Sequence, residues 1–287
     1  MMVKPGVKEL VEDNSNLKEV IEYKEDRGFR GALRLKNILK EKKFDMAVMV
    51  NPKKELHLAA FLAGIPIRIG FDRKWGFLLT HKIKDVKYLA EKHEVEYNLD
   101  LVRALGIEPS NKKPVLAVKE LRGTVPYDWK ESRRDVDSPS LIAIHPYTSN
   151  SKKQWPKKYF IELTDLLNGA GYNVVIIGGP GEAGSCEGFA STIKNKSIDL
   201  TGKLTLKELA ALLTKCKFLV SSDSGPVHIA AAAGTHVVAI FGTADPGSNP
   251  RRWGPYGEGH IVIQKDRLED ILPKEVFDKI KNAYINS

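Results

Sequence analysis

From Ser140 onward, short runs of apolar, largely β-branched residues alternate with stretches of helical spacing, and few folds accommodate that pattern. The runs are Leu141 to His145, Asn173 to Gly178, Ile198 to Gly202, Phe218 to Gly225 and His236 to Gly242. Between them, Phe160, Leu163, Leu166 and Leu167 fall on one helical face, and a further helix is expected from Glu182. Thr205-x-x-Glu208 reads as a capping box ahead of ELAALL, and Pro226 suits the first turn of another helix. Strands that are apolar on both faces, joined by helical crossovers, predict a parallel sheet covered on both sides. This half reads as a doubly wound α/β domain.

The first half shows the same alternation more weakly. Strands are expected at 18–23, 45–50, 67–71 and 115–118, and helices over Phe29 to Lys42, up to Ala63 and around Val95 to Leu105. A chain of 287 residues is long enough for two cores. The expectation is therefore two Rossmann-like domains facing each other across a cleft, 1–135 and 138–270, with a closing helix in 273–287. The charged, Ser- and Pro-containing stretch near 131–140 reads as the hinge. Val276, Ile280 and Tyr284 form one stripe of the closing helix.

Lys and Arg number 45 against 36 Asp and Glu, a net charge of +9 that favours phosphates, an anionic membrane surface or an acidic substrate. Nucleic acid is not the expected partner, because the basic residues are neither concentrated in one patch nor interleaved with aromatics. The longest apolar run, Leu58 to Ile67, is too short to span a bilayer. Acidic residues occupy the N-terminal stretch where a signal peptide needs an apolar core. Cys186 and Cys216 have no metal-like or C-x-x-C spacing and read as reduced thiols. A cytoplasmic protein is expected.

In open parallel sheets, ligands bind beyond the carboxyl ends of the strands, so the turns that follow strands carry the functional reading. His145 to Pro156 is rich in hydroxyls and ammonium groups that suit a diphosphate; it reads equally as a solvated loop with Trp155 as a core anchor. Gly178-Gly179-Pro180-Gly181-Glu182 permits a tight turn, with Glu182 able to accept from a ribose, but it is not G-x-G-x-x-G. Ser221 to His228 leads from a strand into a helix, with Ser224 or Gly225 at the cap and Pro226 in the first turn. That leaves backbone N–H groups facing an anion at the positive end of the helix dipole. Taken singly, Asp223 reads as a cap and His228 as a core histidine. Gly242 to Pro246 adds a polar turn at the same edge, and the convergence favours a site.

The series HPYTSNSKKQWP, GGPGE, DLTGKLTLKELAALL and SSDSGPVHIAAAAGTHVVAIFGTADP resembles glycosyltransferase family 9, the lipopolysaccharide heptosyltransferases. FDMAVMVNPKKELHLAAFLAGIPIRIGF is similar to the first-domain segment of that family and LPKEVFDKI to its closing helix. The resemblance implies a GT-B fold with an ADP-sugar held mainly by the second domain. It implies that Lys153 contacts the donor phosphate and stabilises the leaving group, with Thr148 and Ser149 nearby as hydroxyl donors. Glu182 would hold the nucleoside, and Asp223, Ser224, Gly225 and His228 the donor sugar and diphosphate. Lys53 and Lys54 fall where an acidic lipopolysaccharide-core acceptor would be met, with Arg68 and Arg73 as further cations near the cleft or a membrane surface. The implied reaction is an inverting displacement without metal or other cofactor.

One departure accompanies the resemblance. Family members open with a strand and a turn bearing the aspartate proposed as base, whereas this chain opens on what resembles the second strand, so the first domain is expected to be N-terminally truncated with no base assigned. Asp13 lies in a segment resembling a later helix and is not that residue. An inactive or split nucleotide-sugar-binding remnant is the alternative expectation.

Overall fold

The computed structural model describes residues 1–24, 26, 28–118, 141–185, 189–193, 197–243 and 249–285. The expected hinge at 131–140, the turn at 244–246 and Cys186 lie outside them. The chain divides into two compact units, one of Met1–Pro5 with Ile21–Lys112 and the other of Gly6–Val20 with Lys113–Ser287.

The chain opens with β1 (Met2–Val3), the single-turn α1 (Lys8–Val11) and β2 (Ile21–Glu22), and β1 pairs in parallel with β2. There follow α2 (Gly28–Lys42), β3 (Met46–Met49), α3 (Lys54–Leu62), β4 (Ile67–Asp72), β5 (His81–Lys84) and α4 (Glu94–Arg103). Strands β3, β4 and β5 form a separate parallel sheet in that order. Ile69 and Phe71 of β4 pack with Tyr97 and Leu101 of α4, while Met49 packs with Ala60 of α3. Met46 and Val48 lie on the opposite face of β3 and stay exposed, as does Val50 just beyond it. Of the expected strand at 18–23 only Ile21–Glu22 pairs, and 115–118 forms no strand, with Val115 exposed behind Pro114. The segment Gly6–Val20 belongs with the second unit: Asp13 takes the Lys207 ammonium at 2.6 Å, and Glu9 accepts from the Leu206 amide at 3.0 Å.

The second unit holds β6 (Leu141–His145), α5 (Lys157–Gly169), β7 (Asn173–Ile176), α6 (Phe189–Thr192), β8 (Ile198–Asp199) and α7 (Leu206–Lys215). It continues with β9 (Phe218–Ser222), α8 (Gly225–Ala233), β10 (His236–Gly242), α9 (Pro250–Trp253), β11 (Ile261–Lys265) and α10 (Pro273–Ile280). The sheet order is β11-β10-β9-β6-β7-β8 with every pairing parallel, which is the Rossmann order. Side-chain parity sorts each strand between two cores. Ile142, Ile144, Val220 and Ile240 meet α5 and α10 through Phe160, Leu163, Val276 and Ile280. Leu141, Ala143, Leu219 and Ala239 meet α7 and α8 through Leu209, Leu213, Val227 and Ala230. The doubly wound expectation for this half is met.

The capping box forms completely, with the Thr205 hydroxyl accepting from the Glu208 amide and the Glu208 carboxylate from the Thr205 amide. The helix expected from Glu182 does not form as such. Four glycines between 179 and 188 lower helix propensity, and a 3-10 turn over Pro180–Ser185 precedes the short α6. The closing helix is α-helical to Ile280 and then widens to a π turn through Lys281–Ile285. Tyr284 there stacks between Phe218 and His236 and donates to the Gly259 carbonyl at 2.6 Å.

Candidate functional site

The sheet of the second unit reverses its winding between β6 and β9, and at such a switch the loops leave to opposite sides and open a crevice. His145 ends β6 directly opposite Ser221 near the end of β9. Both share the parity of Ala143 and Leu219, so both point toward the start of α8. His145 Nδ1 lies 3.1 Å from Ser221 Oγ and 3.2 Å from Ser224 Oγ, and the two hydroxyls are 2.8 Å apart. Ser222 has the other parity, and its hydroxyl accepts from the Trp155 amide at 3.2 Å.

That parity determines how α8 begins. Ser224 occupies the N-cap with extended backbone, yet its hydroxyl makes no cap bond; it is committed to Ser221 and His145. Pro226 in the first turn supplies no N–H. The Val227 amide turns back onto the Ser224 carbonyl at 3.3 Å, and the Gly225 amide stands at the positive end of the helix dipole. Gly225 is exposed at this point, and His228 lies half-buried in the first turn.

The loop after β6 has Trp155 as its core anchor, as one of its two readings expected. Trp155 is completely buried, donates its indole N–H to the Ile271 carbonyl at 2.9 Å and sets its edge against Phe160. With that anchor fixed, the Asn150 side chain accepts from the Lys152 amide and caps a short turn over Ser151–Lys153. The turn delivers Lys153 to Asp223, Nζ to Oδ2 at 2.6 Å, with Asp223 only 9% exposed. The Thr148 hydroxyl lies 3.5 Å from the Asp223 carbonyl. Ser149 is exposed and joins none of these contacts.

Glu182 comes from the turn after β7. Its Oε2 accepts from the Gly179 amide at 2.7 Å and faces His145 Nε2 at 3.4 Å. Burial opposes ionisation of this carboxyl, but the His145 ring and the Gly179 amide outweigh it and hold the pKa below its ordinary value. Gly178 is required for close approach: a Cβ there would meet the Thr201 methyl at 2.7 Å and the Tyr147 ring at 3.0 Å. Lys153, Glu182, Asp223, Ser224 and Gly225 thus converge on one crevice. His145 and Ser221 tie them together, and motif reading did not single them out; strand parity is the signal that would have.

Lys53 and Lys54 belong to the first unit, at the N-cap and first position of α3, and line a hollow at the carboxyl ends of its strands. Arg68 is committed elsewhere, with its guanidinium on the carbonyls of Leu78 and Ile65. Arg73 lies 3.5 Å from Asp85. Among the described residues no group of three His, Cys, Asp or Glu side chains is placed to hold a metal ion, and no helix is long and apolar enough to cross a membrane.

Comparison with known proteins places the whole chain, fold and family, beside this geometry. Lipopolysaccharide heptosyltransferase 3 of Escherichia coli is 27% identical over 256 residues, which cover 82% of this chain and 72% of that protein. The lipopolysaccharide core heptosyltransferase OpsX of Haemophilus influenzae is 27% identical over 255 residues, covering 85% and 69%. The crystal structure of a family 9 glycosyltransferase from Veillonella parvula superposes with a TM-score of 0.82 at 21% identity, over 100% of this chain and 88% of that one. ADP-heptose lps heptosyltransferase II of Escherichia coli gives 0.80 at 23%, over 99% and 88%. These superpositions establish an α/β fold of the GT-B type. The model of glycosyltransferase family 9 (heptosyltransferase) matches residues 32–276, and the chain belongs to that family of glycosyltransferases.

Proposed function

We propose that the protein transfers a heptose or a related sugar from an ADP-sugar to an acidic lipopolysaccharide-core acceptor, with inversion at the anomeric carbon. The observation that carries this reading is the crevice at the β6/β9 switch, where a lysine, an ionised glutamate and an uncapped helix start come from three strand ends. The names of the relatives supply the sugar and the nucleotide. Glu182 accepts hydrogen bonds from the ribose. Lys153 and the Gly225 amide at the start of α8 take the diphosphate, and His228 and Asp223 border the donor sugar. Thr148 and Ser149 offer hydroxyls from the same loop.

In the displacement an acceptor hydroxyl attacks the anomeric carbon, its proton passes to a base, and the bond to the diphosphate oxygen breaks. Negative charge then grows on the leaving group, where preorganised donors lower the barrier most. Lys153 and α8 are those donors in this reading, and no resident cofactor takes part. Lys53 and Lys54 hold the anionic acceptor. The reaction runs on the cytoplasmic side, with peripheral contact to an anionic membrane surface.

The test is transfer itself. The 287-residue chain is incubated with ADP-heptose and a deacylated core acceptor, and both ADP release and the glycosylated product are measured. Turnover that Lys153→Ala lowers by 10² or more, about 2.7 kcal/mol of transition-state stabilisation, supports the reading. ADP binding without transfer under any acceptor would reduce the protein to a nucleotide-sugar binder.

A further inference from the structure

Some of the largest apolar side chains of the first unit lie on its outside. Helix α2 buries Gly31, Ala32 and Leu35 but turns Phe29 and Leu33 outward, one helical turn apart on a single face. Helix α3 buries Ala59 and Ala60 and leaves Phe61 and Leu62 exposed. In the turn after β4, Gly76 and Leu79 are buried while Trp75 and Phe77 stand out. Every exposed Phe, Trp or Tyr among the described residues belongs to this unit. We infer that α2, α3 and the turn over 73–78 present a surface that seats on an anionic lipid bilayer, with Phe29, Phe61, Trp75 and Phe77 entering the headgroup region. This surface presupposes the peripheral contact proposed above and names the side chains that make it.

The four rings form one patch. Phe29, Leu58 and Trp75 share the walls of a hollow of about 240 Å³. The Phe77 ring lies 6.2 Å from that of Trp75. The Arg68 guanidinium sits 5.5 Å over Phe61 and bonds the carbonyls of Leu78 and Ile65, which joins Phe61 to the same turn. Phe77 is 72% exposed, Phe29 64%, Phe61 47% and Trp75 38%. Rings held in water forgo the burial that drives folding, and a contiguous group of them marks a surface that something covers.

Charge selects the occupant. Arg30 follows Phe29 in the chain, Arg68 lies over Phe61, and Arg73 and Lys74 precede Trp75, in a chain of net charge +9. The acids at the border are engaged: Asp26 pairs with Arg34 at 2.6 Å, Asp85 with Arg73 at 3.5 Å, and Glu55 accepts the Gly28 amide at 3.2 Å. A negatively charged leaflet satisfies a rim of cations without matching each one to a fixed partner, and aromatic rings are favoured at the same depth. The turn presents its rings in a fixed attitude. Lys74 has φ of 55°, in the left-handed region, and two residues on a Cβ at Gly76 would meet Asp72 Oδ1 at 2.3 Å. Folded tightly around Asp72 and tied to Arg68, the turn holds Trp75 and Phe77 at its crest.

The experiment sediments the intact chain with vesicles of mixed phosphatidylglycerol and phosphatidylcholine, and with phosphatidylcholine alone. Binding to the mixed vesicles is expected, with little to the neutral ones, because attachment of this kind needs both apolar and charged contacts. Phe61→Ser combined with Phe77→Ser should lower the partition coefficient about tenfold or more, while Leu272→Ser, which removes an exposed apolar group of the second unit, should leave it unchanged. Vesicles with brominated acyl chains should quench the tryptophan emission of the unaltered chain, and Trp75→Phe should remove most of that quenching while the protein still binds. Equal partitioning of the serine pair and the parent, or sedimentation without quenching, overturns the surface and leaves the peripheral contact standing. Failure of the unaltered chain to sediment with the anionic vesicles overturns the contact as well, so the two failures are distinguishable. A parent that is dimeric by analytical ultracentrifugation, with a monomeric serine pair, would assign the patch to a second copy instead and overturn the inference.

Discussion

Lys153 and Asp223, 70 positions apart in the chain, meet at 2.6 Å where β6 and β9 end. The ammonium is therefore held in place before any ligand arrives, by a carboxylate that is itself almost buried. Such preorganisation spares a diphosphate the cost of ordering a long side chain.

Lys153→Ala is expected to weaken ADP binding by about 1.5 to 3 kcal/mol, the range for a charge-assisted hydrogen bond. Asp223→Ala should weaken it less, because the ammonium remains but is no longer aimed. Calorimetry on the three proteins decides, and equal affinities would refute the placement of the diphosphate.

Acid should destabilise the second unit in two separate stages. His260 accepts the Val237 amide at 3.2 Å on Nδ1, and burial, with His236 nearby, lowers its pKa against the pull of the Tyr256 main chain. The unfolded chain then takes up a proton first, so stability falls as pH drops below the ordinary value of 6.5 toward the lowered one. Glu182 is also lowered, so the stabilisation by its charge is complete above the ordinary value of 4.5 and is lost as pH falls through the folded value. Thermal melts across this range should lose the upper stage in His260→Gln and the lower in Glu182→Gln. An unchanged profile in either variant contradicts its assignment.

Thr201 has a buried hydroxyl with no hydrogen-bond partner among the described residues, while its methyl packs under Gly178. Thr201→Val keeps the shape and removes the unpaired group, whose burial costs about 1 to 3 kcal/mol. The variant should melt at least as high as the parent, by up to several degrees. A clear drop in Tm would mean that the hydroxyl has a partner after all.

Reversal of both Lys53 and Lys54 to Glu should release the protein from anionic vesicles at low salt, if those ammonium groups meet a charged surface. The same release should follow from raising salt with the unaltered chain, since exposed charges are screened within about 10 Å at 0.1 M. Cosedimentation unaffected by either change would confine Lys53 and Lys54 to the soluble acceptor.

Legibility from sequence followed burial. Leu141–His145, Phe218–Ser222 and His236–Gly242 are buried on both faces, or nearly so, and their uninterrupted apolar runs announced a covered parallel sheet. The Thr205–Glu208 box is wholly local, so its two bonds could be foreseen from four residues. The strand His81–Lys84 could not, being mostly polar and exposed at a sheet edge. Nor could the bond network of His145, which needs a partner 76 positions away and depends on strand register. Lys74 is a similar case, because no local propensity places a lysine in the left-handed region.

The adjacency of β6 and β9 also puts a seam through the crevice. Strands β6 to β8 build one side of the sheet and β9 to β11 the other, and each side winds on itself through its own crossovers. Lys153 and Glu182 travel with the first side, Asp223 and Ser224 with the second, so neither side alone carries the set of residues that the proposed function gives to the nucleotide. A nucleotide that needs both sides binds only after the seam has closed, and at a hundred times its Kd it would stabilise that closed sheet by about 2.7 kcal/mol. ADP would then act on this protein as a clasp as well as a leaving group, and the seam would be the last part of the second unit to yield to a protease in its presence.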